Sequence, residues 1–161
     1  GWWFCCFPMS FVSQNDILPF FIHCDDVEYG LRCGKSPIII EGVQVWHETF
    51  DKRQSPIMLY YDTRNPLFVN SIHFPANDYG QILSKWKETI TSYHVKEDYV
   101  SEYYVIRAMW DFLRGLDWLK RIDSERYHKR LLKMRGLRLR NAIAWRVTEW
   151  KFEKKFGRRK Q

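Results

Sequence analysis

The sequence predicts a mixed α/β amino-terminal part followed by a helical bundle, with the change near residues 75–80. Three observations predict it. Apolar and β-branched runs recur in the first half, at Trp2–Phe7, Pro19–Cys24, Pro37–Ile40 and Gly42–Trp46. Beyond Tyr79 the apolar residues instead return every three to four positions, the spacing of one helix face. The charge divides at the same place: residues 1–80 carry a net −4 and residues 81–161 a net +11, giving the overall +7.

The elements follow in order. Trp2 to Phe7 reads as a short buried strand ended by Pro8. Ser10 to Leu18, with Ser13-Gln14-Asn15-Asp16, is a turn-rich connector, and Pro19 to Cys24 is a second extended apolar run. Asp25 stands where a helix N-cap is expected, and Asp26 to Cys33 form one or two helical turns closed by Gly34. The β-branched runs around Glu41-Gly42 predict a strand that ends on His47. From Ser55 the pattern turns helical through Tyr60 and Tyr61, and Asn65-Pro66 is expected to break or restart that helix. Pro75 and Asn77-Asp78 close the first part.

In the second part Ile82, Trp86, Ile90 and Tyr93 define one helix, and Val105, Met109, Phe112, Leu116 and Leu119 another. Asp123, with Arg126 three residues on, marks a helix start. Leu131, Leu132, Met134 and Leu137 open a third segment; Ile143, Val147, Trp150 and Phe156 a fourth. The expected division is 1–78 and 79–161, the second part ending in a basic tail.

Composition bounds the function. Aromatics are 17% of 161 residues, enough for a sizeable core and against disorder. Cys5, Cys6, Cys24 and Cys33 show no CxxC spacing, so zinc is not expected, and the absence of a disulfide pattern points to a reducing cytoplasm. No run of about 18 apolar residues is present to span a membrane. The apolar opening lacks the basic leader and cleavage site of a signal peptide. Residues 126–161 hold 14 Lys and Arg against Glu149 and Glu153, interleaved with Trp145, Trp150, Phe152 and Phe156. That composition fits peripheral contact with an anionic membrane, or assembly into an oligomer. A recognisable nucleic-acid motif is missing.

Chemistry concentrates in PFFIHCDDVEYGLR, Pro19 to Arg32, where Asp25, Asp26 and Glu28 follow an apolar run. One reading is a helix N-terminus with solvated acids, favoured by the helix dipole. The other is a general base with a second acid orienting a substrate hydroxyl. His47, after Val45-Trp46, is a candidate ligand with no second ligand at familiar spacing, and His23, His73, His94 and His128 show no such pairing either. Trp2 and Trp3 could offer a stacking shelf for a sugar face, although adjacent strand residues point to opposite sides.

The ordered series WWF, PFFIHCDDVEYGLR, GVQVWHETF and YYDTRN resembles the C-terminal part of family-2 inverting glycosyltransferases, nearest the bacterial galactofuranosyltransferases and rhamnosyltransferase-like enzymes. The motifs cover about residues 1–75; the helical remainder, including DFLRGLDWL, is similar more loosely. The resemblance implies a GT-A nucleotide-sugar transferase domain, of which 1–78 would be the acceptor-side part. It implies Asp26 as general base, Asp25 and Glu28 lining the acceptor site, and Trp2 and Trp3 bordering it. It implies His47 as a ligand of a divalent cation, Mn or Mg, on the donor diphosphate. The partners implied are a nucleotide-sugar donor and a glycan or lipid-linked glycan acceptor of a cell-surface polysaccharide, at the inner face of the membrane. The metal-binding Asp-x-Asp of that family does not occur in these 161 residues. The chain is therefore expected to be a fragment, inactive by itself. The alternative expectation is a non-catalytic module whose basic half contacts an anionic surface.

Overall fold

A helix satisfies its own backbone hydrogen bonds, whereas a strand needs a neighbour. That difference decides the architecture. The computed structural model describes residues 5–36, 38–46, 55–74, 78–134 and 136–157. In chain order they form α1 (Met9–Val12), α2 (Asp25–Cys33), α3 (Met58–His73), α4 (Tyr79–Val95), α5 (Tyr99–Leu113), α6 (Leu116–Arg121), α7 (Ser124–Leu131) and α8 (Arg138–Phe156).

No strand forms among the described residues, so the α/β expectation is corrected: the fold is all helical. Residues 38–46 show the reason. They carry strand-forming side chains but are irregular, with Ile38 90% and Trp46 86% exposed. β propensity expresses packing against a neighbouring strand, and none lies beside this run among the described residues. Cys5 to Phe7 is irregular for the same reason. The 19–24 run is irregular too, but side chains of α3 hold it.

Helix α5 is the hub. Tyr104, Val105, Ile106, Ala108, Met109 and Phe112 are buried on it, and it packs on α3, α4 and α8. One core joins Phe20, Leu67, Phe68, Val105, Met109, Phe112, Leu119 and Phe152. A second, Tyr-rich cluster joins Ile57, Tyr60, Tyr61, Tyr104, Tyr127 and Leu131, and seats α7. Aspartates cap three helices: Asp78 accepts from Gly80 and Gln81 amides, Asp98 from Ser101, and Asp123 from Arg126. Gly34 ends α2 at φ 62°, the left-handed cap that glycine adopts without strain.

Further boundaries differ from expectation. The spacing read from Val105 to Leu119 as one helix is broken at Gly115, φ 89°, between α5 and α6. Cys24 rather than Asp25 is the N-cap of α2, and Asp25 is its first helical residue. Helix α3 continues through Pro66, although an interior proline costs about 3 kcal/mol. Buried Tyr60 and Tyr61 before it, and Leu67, Phe68 and Val69 after it, keep both halves docked. Leu131 ends α7 and Leu137 precedes α8, so the apolar spacing read across 131–137 spans a connection rather than a helix.

Candidate functional site

The chain enters α2 through an unusual turn. Phe21, His23 and Cys24 have φ of 72°, 61° and 67°, left-handed values that cost non-glycine residues about 1–3 kcal/mol each. Backbone in that state points its carbonyls away from any regular ladder, so they need other donors.

Helix α3 supplies them from two consecutive buried side chains. Asn65, fully buried, donates its Nδ2 amide to the carbonyls of Ile22 at 2.6 Å, His23 at 2.9 Å and Phe20 at 3.3 Å. Arg64 donates Nη2 to the Phe20 carbonyl at 2.8 Å and Nε to Asn65 Oδ1 at 2.9 Å. The second of these orients the amide so that its NH2 faces the turn. Arg64 Nη1 donates to the Tyr60 hydroxyl at 3.0 Å, and that hydroxyl donates to Asp111 Oδ2 at 3.0 Å. Burial, then the nearby Asp111 charge, raises the Tyr60 pKa well above its usual value and keeps it a donor. A continuous polar chain thus runs from the strained turn to a buried carboxylate on α5. Arg107 Nε also binds Asp111, at 3.0 Å.

This turn presents the predicted acids. Asp25 is exposed and Asp26 half-buried, both in the first turn of α2. Asp26 Oδ1 accepts the Val27 amide at 2.8 Å, and the helix dipole favours both charges there. Glu28 is 1% exposed and held on both oxygens: Arg32 Nη2 donates to Oε2 at 2.9 Å, and His73 Nε2 lies 3.2 Å from Oε1. Glu28 therefore ties α2 to the end of α3, and Arg32 adds a bond to the Asp16 carbonyl at 2.8 Å. His23 Nδ1 lies 2.6 Å from Asp62 Oδ1, placing a further carboxylate beside the turn. Cys24 reports the cluster: burial, then Asp26, Asp62 and Asp25, push its thiol up to about 11.

The structure brings Asp25, Asp26 and Glu28 onto one helix end. Trp2, Trp3 and His47 lie outside the described residues. Among the described residues no three His, Cys, Asp or Glu side chains come together as a metal site, so those residues do not by themselves fit a divalent cation.

Sequence reasoning missed Arg64 and Asn65 as site residues. Their signal was present in YYDTRN, where polar residues stand between Tyr60-Tyr61 and Leu67-Phe68 at positions that helical spacing buries.

The chain is 34% identical over 125 residues to galactofuranosyltransferase GlfT2 of Mycolicibacterium smegmatis, covering 71% of this chain and 19% of that protein. It is 31% identical over 124 residues to galactofuranosyltransferase GlfT2 of Mycobacterium tuberculosis, with the same coverage. The chain thus spans about a fifth of the length of these curated relatives, and it is related by sequence to a glycosyltransferase. No family model and no solved structure matches it.

Proposed function

We propose that this chain is the acceptor-side and helical part of a galactofuranosyltransferase-like enzyme, moving a sugar from a nucleotide-sugar donor to a cell-wall polysaccharide. The observation that carries the reading is the pair Asp25–Asp26, displayed at the end of a strained turn that two buried side chains hold in place. Strain of this kind persists where the surroundings over-determine it, and it clusters at working sites.

In this reading Asp26 is the general base. It takes the proton of an acceptor hydroxyl, whose oxygen attacks the anomeric carbon opposite the departing nucleoside diphosphate, inverting that centre. Asp25 lies one residue away on the exposed side and orients the acceptor. Glu28 acts through Arg32 and His73 by fixing α2, while Trp2 and Trp3 border the acceptor. His47 would contribute one donor to a divalent cation, Mn or Mg, the remaining ligands being expected outside these residues. Such a cation would neutralise the leaving diphosphate.

A second reading concerns the partner surface. Leu139, Ile143, Val147 and Trp150 form an exposed stripe along α8, flanked by Arg138, Arg146, Lys151 and Lys154. That face suits contact with an anionic membrane or a second copy of the chain. None of the described helices is long and apolar enough to cross a membrane.

The test has two arms. The 161-residue chain, given nucleotide sugar and a galactofuranose oligosaccharide, transfers no sugar, since it contains no Asp-x-Asp donor motif. It does bind the oligosaccharide, by saturation-transfer NMR, and Asp25→Asn weakens that binding. Transfer by the chain alone contradicts the fragment reading; acceptor binding indifferent to Asp25 contradicts the site.

A further inference from the structure

We propose that the groove between α6 and α7 is a binding site for a phosphate-bearing ligand, best matched by a diphosphate. The groove has a volume of about 610 Å³, within the ~300–1,000 Å³ usual for small-molecule sites. Five cations line it, Arg121, Arg126, Lys129, Arg130 and Lys133, against a single lining carboxylate among the described residues, Asp123. That carboxylate is already engaged, accepting the Arg126 amide at 3.0 Å as the cap of α7. Lys129 is neutralised by Glu125 one turn away, at 2.5 Å. Arg126, Arg130 and Lys133 form no ion pair among the described residues, so the positive charge in the groove is uncompensated there.

Trp118 and Ile122 give the same groove an apolar wall, with Trp118 edge-on to Tyr127 at 5.6 Å. Like charges crowded beside an aromatic wall repel one another unless an anion joins them. Guanidinium groups on successive turns of α7 match phosphate oxygens in bidentate geometry. A carboxylate ligand would leave most of the charge unmet, whereas a diphosphate carries two or more negative charges on adjacent groups.

Position adds to the argument. The opposite side of α7 packs on the turn that leads to the acid pair: Ser124 donates to the Pro19 carbonyl at 3.3 Å, and the His128 ring lies 5.2 Å from Phe21. A ligand held by Arg126 and Arg130 would be anchored one helix away from Asp25 and Asp26. The inference does not rest on the transferase reading, since its probe carries no sugar and no transfer is measured.

The experiment is calorimetric titration of the 161-residue chain with inorganic pyrophosphate at low salt and at 0.3 M salt. One-site, salt-sensitive binding is expected, weakened at least tenfold by the double variant Arg126→Gln/Arg130→Gln. Lys85→Gln, on exposed α4 surface away from the groove, leaves it unchanged. The substituted side chains are exposed, and circular dichroism checks that helix content is kept. Lys133→Gln alone, expected to weaken binding a few-fold, serves if the double variant loses helix. A parallel arm uses vesicles containing phosphatidic acid. Vesicle binding that also needs Arg126 and Arg130 assigns the phosphate to a lipid; pyrophosphate binding without vesicle binding assigns a soluble ligand. The proposal is overturned if neither probe binds saturably, or if binding is the same in the arginine variants.

Discussion

Asn65 makes the acid pair possible. One amide satisfies three carbonyls that the left-handed backbone leaves without ladder partners. Asn65→Ala would leave the Phe20 carbonyl to Arg64 but strand the Ile22 and His23 carbonyls in a partly buried place, a loss of about 1–3 kcal/mol. Urea unfolding is expected to show a destabilisation of that size, and an unchanged midpoint would mean that the turn is held by other contacts. Cys24 offers a second check at the same scale. Its thiol is pushed up to about 11 from 9.0, first by burial and then by Asp26, Asp62 and Asp25. A raised pKa means that the folded state holds the proton more tightly, so this contribution to stability is complete below about pH 9 and is lost as the pH rises toward 11. It also means that Cys24 is alkylated slowly, because the thiolate is the reactive form. Asp26→Asn removes the largest of the three charges acting on the thiol. Iodoacetamide labelling of Cys24 at pH 9.5 is then expected to quicken, and an unaltered rate would place Asp26 away from the cluster.

At the scale of elements, buried polar side chains set the joints between helices. Asn141 on α8 donates to the Tyr99 carbonyl at 2.8 Å and to Glu102 Oε2 at 2.7 Å. His94 on α4 meets the other Glu102 oxygen at 2.8 Å. This joint leaves no room at Gly136, where a β-carbon would overlap the Tyr99 carbonyl and crowd the Val100 amide. Gly136→Ala therefore forces the start of α5 to move, at about 1–3 kcal/mol as for other overpacked sites. Thermal unfolding is expected to shift downward accordingly, and a tolerant Gly136→Ala would show that the approach of α8 to α5 is loose. Several elements were legible as single residues. Asp123 starts α7 and Gly34 ends α2, because caps depend only on local backbone geometry. Helices α4, α5 and α8 were legible from periodicity, which one apolar face is enough to produce, but the same spacing ran on across the break at Gly115 and across the connection at 131–137. The passage of α3 through Pro66 was not, since it depends on burial on both sides of the proline.

Across the whole molecule, the misread strands and the missed clamp have one cause. Residues 38–46 have the side chains of a strand, but strand formation is a property of a pair of segments, and no strand lies beside them among the described residues. Arg64 and Asn65 matter only because folding brings α3 against residues 20–23, forty and more positions earlier. The acids themselves were legible, because charges directly after an apolar run are conspicuous in any context. Their separate fates were not: Glu28 is sealed between Arg32 and His73 while Asp25 is exposed. The central claim is that the turn presents Asp26 as the base of a sugar transfer. It is tested most directly in a chimera in which this chain replaces the matching region of the Mycolicibacterium smegmatis relative, by comparing single-turnover sugar transfer with and without Asp26→Asn. The account predicts a loss of about 10²–10⁴-fold with helix content and thermal midpoint unchanged. Transfer by the Asp26→Asn chimera at the rate of the unsubstituted chimera would contradict it.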